Sequence, residues 1–139
     1  MPLHLIKLAV GAKSIDEVRA RQTARAKVAP PLRHRTRNFP RRAAEILDGG
    51  SIYWVINRVV SVRQRVVDIV EATERDGASC TDLVLDPVLV PVRGRLMKPF
   101  QGWRYLADAD APPDEAAGVA GVVELPEALR RELAGLGLI

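Results

Sequence analysis

Cysteine is all but missing from this chain: Cys80 is the one thiol in 139 residues. That excludes an internal disulfide and any C-x-x-C redox or zinc pair, and it fits a reducing cytoplasm. Set in the strand-like run SCTDLVL, Cys80 reads as a small buried hydrophobe rather than a nucleophile. Histidine is almost as scarce, with His4 and His34 alone, so no H-x-x-H site can form. No phosphate loop and no G-x-S-x-G elbow occurs. No catalytic residue, metal or cofactor is therefore expected. Long apolar runs are lacking too: nothing approaches the roughly 20 residues that span a bilayer. The opening MPLHLIKLAVG lacks the charged n-region of a signal peptide, and Lys7 interrupts its apolar run, so it reads as a first strand.

Acids are thin in one part of the chain and cations in another. The formal charge is +4, and its distribution says more than its size. Between Lys13 and Arg42 stand ten Lys/Arg against Asp16 and Glu17. From Ala107 onward there are two, Arg130 and Arg131, against seven acids. Such asymmetry implies an anionic partner, or an acidic tail that docks on the chain's own basic surface.

The stretch around which the rest is organised is DGGSIYWVINRVVSVRQRVVDIV, Asp48 to Val70. Its β-branched and aromatic density behind Gly49-Gly50 predicts strands over Ile52–Ile56 and Val59–Val70. Val60 and Val62 fall on even positions before Arg63-Gln64-Arg65, and Val67 and Ile69 on odd positions after them, which predicts a β-bulge there. Ahead of it, Leu3–Val10 reads as an edge or half-buried strand. Ser14-x-x-Glu17 is a capping box opening a helix over about Ile15–Val28, closed by Pro30-Pro31. Residues 29–38 read as an irregular loop, with Asn38 as N-cap of a short helix running to Leu47. Beyond the hairpin, Asp76-Gly77 marks a turn and Ser79–Leu85 a strand. Val88–Val92 is demoted by Pro91 to an edge strand, and the second half of Lys98–Leu106 is the last strand. Residues 107–124 form an acidic Ala/Gly/Pro-rich linker. Residues 125–139 form a helix whose Leu125, Leu129, Leu133 and Leu136 make a stripe suited to a homodimer contact. The sum is an α+β domain over residues 1–106. It has five or six strands in a mostly antiparallel curled sheet or small β-barrel, two helices before the sheet and one after it.

Two resemblances add to this. MPLHLIKLAVG, RAAEILDGGSIYWVI with RQ, and LVLDP…KPFQGWRYL…DAPPD resemble a small family of proteobacterial proteins that carries a domain-of-unknown-function label. That resemblance spans nearly all of residues 1–114 and implies no activity. The short helix ending in glycine before a core strand, RRAAEILDGG-SIYWVI, resembles the PUA and ASCH superfamily of small β-barrels. That second resemblance implies RNA binding, which many of its members share.

Candidate site residues follow from residue type. Arg33, Arg35 and Arg37 alternate along an extended backbone, so they share a side and, with Arg41 and Arg42, suit a phosphate backbone. Tyr53, Trp54 and Trp103 are candidate stacking platforms. Arg63 and Gln64 are polar residues in a valine-rich strand, and Gln101 and Arg104 flank Gly102-Trp103. The best reading is a cytoplasmic, non-enzymatic RNA-binding module. A homodimerising or protein-interaction domain is the first alternative. An enzyme gripping a small anion or nucleotide with Arg63 and Arg104 is the second. For each charge run the plain alternative is a solvated face, and for each aromatic it is core packing.

Overall fold

The computed structural model describes residues 2–115. The chain runs β1 (Leu3–Leu8), α1 (Ile15–Val28), β2 (Arg33–Thr36), α2 (Ala43–Leu47), β3 (Ser51–Ile56), β4 (Val59–Thr73), β5 (Ser79–Leu85), β6 (Val90–Leu96), β7 (Trp103–Ala107) and a 3₁₀ turn (Asp108–Asp110). The seven strands form one curled sheet in the order β2-β5-β4-β3-β1-β7, with β6 also paired to β4. Its two ends, β2 and β7, are not paired with each other, so the sheet is not closed.

The central hairpin forms as its composition predicts. Asn57 and Arg58 both take positive φ, 51° and 67°, which gives the tight two-residue turn whose twist suits antiparallel strands. The bulges, however, lie at Ser61 and Val67, on either side of Arg63. Each bulge resets the side-chain alternation. Val60 therefore packs in one core cluster, while Val62, Val66 and Ile69 all pack in the other. Between the bulges, Arg63 and Gln64 point to opposite faces.

Several expectations are corrected. β1 is no edge strand: it lies between β3, which it joins in parallel, and β7. A parallel pair needs a crossover, and α1, β2 and α2 supply it, so the helices lie within the sheet's connectivity rather than before it. Arg33–Thr36, read as part of an irregular loop, pairs antiparallel with β5 because its alternating side chains suit a strand edge. Seven strands replace five or six, and the described residues hold two α-helices. Asn38 caps nothing; its carbonyl accepts from Trp103 Nε1–H at 3.2 Å. The helix expected over 125–139, and the dimer contact assigned to it, lie outside the described residues, as do residues 116–124 of the expected linker.

Ser14 caps α1 as expected, its Oγ accepting from the Glu17 N–H at 3.1 Å, while the Glu17 carboxylate reaches back one residue past the cap and accepts from the Lys13 N–H at 2.8 Å. Gly50 is required by packing, since a Cβ there would fall 2.1 Å from the Leu3 carbonyl oxygen and 2.5 Å from that of Ile46. It lets the end of α2 press directly onto β1 and β3. Ala107–Asp114, read as the head of a linker, is held to the sheet at several points. Asp108 meets His4 at 2.7 Å, the Arg93 N–H donates to the Pro113 carbonyl, and Val92 bridges to Asp114. No helix among the described residues is long and apolar enough to cross a membrane.

Candidate nucleic-acid interface

Sheet register places two rows of side chains across the same strands, on opposite faces. One row is Val62, Trp54, Lys7 and Trp103, on β4, β3, β1 and β7. The next is Arg63, Tyr53, Ile6 and Arg104. Directly opposed residues on neighbouring strands lie close enough to interact, so each row is a physical neighbourhood.

The first row faces α1, and between them lies a half-open cavity of about 160 Å³. Trp54, Leu32, Val18 and Leu85 supply apolar wall. Lys7, Arg21, Arg25 and Arg33 also line it, and no acidic side chain does. Arg21 is set in place by donating to the carbonyls of Val10 and Gly11 at 2.9 and 3.0 Å. Burial pulls the Lys7 ammonium below its ordinary value, because a charge leaving water is penalised.

His34 stands edge-on to Trp54 with ring centroids 5.1 Å apart. Its Nε2 is buried without a hydrogen-bond partner, a rarity among buried polar atoms. Burial first, then the charges of Lys7 and Arg25, lower its pKa from 6.5 to about 4. Imidazole is thus neutral at pH 7, and the cavity's positive potential comes from lysine and arginine alone.

Behind the cavity lies a saturated amide network. Gln64 is 0% exposed. Its Oε1 accepts from Gln22 Nε2 at 2.7 Å and from Trp54 Nε1 at 2.9 Å. Its Nε2 donates to Gln22 Oε1 at 2.7 Å and to the Asp86 carbonyl at 3.0 Å. Every donor and acceptor of Gln64 is in use, which is what a buried amide needs to offset its desolvation.

The structure distributes the sequence-predicted residues unevenly. Arg33 reaches the cavity, while also donating to the carbonyls of Pro30 and Pro31. Arg35 shares its side of β2 but is committed elsewhere, forming a bidentate pair at 2.9 and 3.1 Å with Asp82, which is 2% exposed. That pair holds the Asp82 carboxyl below its usual range. Arg37 and Arg41 are exposed and meet no carboxylate among the described residues. Arg42 pairs with Glu45 at 2.5 and 2.7 Å and lies 5.7 Å from the Tyr105 ring centroid. Tyr53 and Trp54 are each only 4% exposed; Tyr53 is enclosed in the second core cluster and lines no cavity, whereas part of the Trp54 surface lines the cavity beside α1. Gln101 is exposed on the loop before β7, and Trp103 is half-buried beside Tyr105.

Arg63 and Arg104, the grip expected for a small anion, are both engaged on the opposite face. Arg63 is bidentate to Asp114 at 2.5 and 2.6 Å and donates to Ser51 Oγ, and Arg104 lies 4.6 Å from the Phe100 ring centroid. Tyr53 and Ile6 stand between them, a separation of three strand spacings, about 14 Å.

Of the ten cations between Lys13 and Arg42, Arg19, Arg33, Arg35 and Arg42 have carboxylate partners. Lys13, Arg21, Arg25, Lys27, Arg37 and Arg41 have none among the described residues. The acids of the tail that are described do not neutralise them: Asp108 goes to His4 and Asp114 to Arg63. Sequence reasoning missed Lys7, Arg21, Gln22, Arg25 and His34 as cavity residues. One signal was available, a lysine interrupting an otherwise apolar first strand. No curated protein and no solved structure matches the chain. A family model does, over residues 5–139, so the match includes the tail after Asp114. The chain belongs to the family described as a protein of unknown function, DUF1489.

Proposed function

We propose that this domain binds single-stranded nucleic acid, RNA in the first place, on the face formed by α1 and β2. The observation that carries the reading is the convergence of Lys7, Arg21, Arg25 and Arg33 on a tryptophan-walled cavity with no acid in its lining. A shallow apolar groove over Ala24, Val28 and Ala29 is flanked by the same Arg25 and Arg33, which extends the cationic edge of the cavity along α1. Arg33 shares Asp82 at 3.7 Å, while Lys7, Arg21 and Arg25 meet no carboxylate among the described residues, and unneutralised cations beside an aromatic wall are the physical requirement for such binding. The reading takes the curled sheet as an incompletely closed small barrel, in keeping with the PUA/ASCH-like junction at Gly50, in a cytoplasmic protein.

Salt dependence tests it. Affinity for a mixed RNA pool should fall with salt at a log–log slope of about −0.7 per phosphate contact. Replacing Arg25, Lys27 and Arg37 together by alanine should flatten that slope by roughly two. The melting temperature should barely move, because exposed charges add little stability. Arg35 is left out of the set, since its loss would strand the buried Asp82. Absence of salt-sensitive binding at low ionic strength would remove the reading.

A further inference from the structure

The cavity is shaped for a ring as well as a charge. A cavity of about 150 Å³ in an engineered protein core admits benzene, and this one measures about 160 Å³ with Trp54 in its wall. We propose that one unstacked nucleobase of the bound strand enters this cavity against Trp54, and that Gln22 meets its hydrogen-bonding edge. This rests on the nucleic-acid reading above and narrows it to a base-recognising one.

Gln22 lines the cavity. Its reciprocal pair with Gln64 uses one N–H and one carbonyl lone pair, which leaves one donor and one acceptor on the same amide. Gln64 has no freedom to reorient, being enclosed and bonded on all sides. The Gln22 amide is therefore held in one orientation before any ligand arrives, which lowers the entropic cost of recognition. The orphaned His34 Nε2 is a second polar group beside the same wall. Lys7, Arg25 and Arg33 are placed for the phosphates that flank the base. Single-stranded RNA readers combine these elements: a ring packed on an aromatic side chain, polar groups on the base edge, cations on the backbone. Ring packing tolerates any base, so selectivity falls to Gln22, the specificity-determining residue.

The test uses the full chain and oligoribonucleotides of about eight residues, one homopolymer of each base and an abasic chain of equal charge. Replacing Trp103 by phenylalanine leaves Trp54 as the sole tryptophan and hence the sole indole reporter. Base-bearing chains should quench Trp54 and bind about tenfold or more tighter than the abasic chain. Gln22→Ala should compress the affinity differences among the four homopolymers while leaving the salt slope as it was. An abasic chain that binds as well as the others overturns the inference and leaves the electrostatic reading standing. So does a Gln22→Ala variant whose base preferences are unchanged. Failure of every oligomer to bind removes both.

Discussion

Replacing Gln64 by leucine should lower the unfolding free energy by about 3 kcal/mol, although the new side chain is apolar and of similar size. The deletion strands Trp54 Nε1, the Gln22 amide and the Asp86 carbonyl, all of which Gln64 satisfies. Each buried group left unpaired costs about 1–3 kcal/mol, and solvent can reach part of the half-buried Gln22 and Asp86. In a domain of this length that corresponds to a fall in Tm of about 10 °C. Gln101, exposed and without a side-chain hydrogen bond among the described residues, is the internal control: Gln101→Leu should stay within about 0.5 kcal/mol of wild type. The double variant Gln22→Leu/Gln64→Leu should cost less than the sum of its singles, because the two amides satisfy each other. If Gln64→Leu proves as harmless as Gln101→Leu in a thermal or urea melt, the amide network is not what holds Trp54 and Gln22 in place.

Acid should weaken the fold through His34, beginning well above the carboxylate range. The unfolded chain takes up a proton at this histidine near its ordinary 6.5, whereas the folded chain does not until about 4. Between those values the unfolded state holds more protons, so stability falls as pH drops from 6.5 toward 4 and is fully present above that window. The interval is worth about 3 kcal/mol. His34→Phe keeps a ring beside Trp54 and removes the titration, so the difference between the two stability–pH curves isolates this group. Asp82 and Glu45 have lowered values through Arg35 and Arg42 respectively. Their contribution is lost only at lower pH, and it cancels in the difference. Parallel curves for wild type and His34→Phe between pH 6.5 and 4 would show that His34 takes up its proton equally readily in the folded chain.

What the sequence made legible follows from how local each signal is. The N-cap at Ser14, the strands on either side of Asn57-Arg58 and the Asp76-Gly77 turn depend on neighbours a few residues apart, and each is where its pattern places it. The parallel partnership of β1 with β3 was not legible, because a crossover of more than 40 residues leaves no local periodicity. Nor was β2, whose RHRT reads as loop until β5 supplies its ladder. The two bulges were seen as one, since the valine pattern reports only the net change of face and not that Ser61 and Val67 each contribute a residue.

Site residues divide along the same line. Clusters in sequence were found, and clusters in space were not. Arg33 and Arg35 do lie on one strand, with Arg37 in the bend just past its end, yet Asp82, 47 residues after Arg35, engages Arg35 in a bidentate pair. Arg63 looked like a buried functional arginine, and Asp114 shows it to be a fastener for the chain after β7. The cavity draws Lys7 from β1, Gln22 and Arg25 from α1, His34 from β2 and Trp54 from β3. No spacing rule joins residues so far apart. Strand register sets Lys7 beside Trp54, and the packing of α1 and β2 over that face brings in Gln22, Arg25 and His34.

The proposed RNA binding is tested most directly by mapping the protein surface to which RNA crosslinks. Thiouridine-substituted RNA, photocrosslinked to the full chain at low salt and digested for mass spectrometry, should leave adducts between Val18 and Arg37 and on the peptide bearing Trp54. Adducts confined to the opposite face, around Arg63, Phe100 and Arg104, or to the β4–β5 hairpin tip near Asp76, would contradict it.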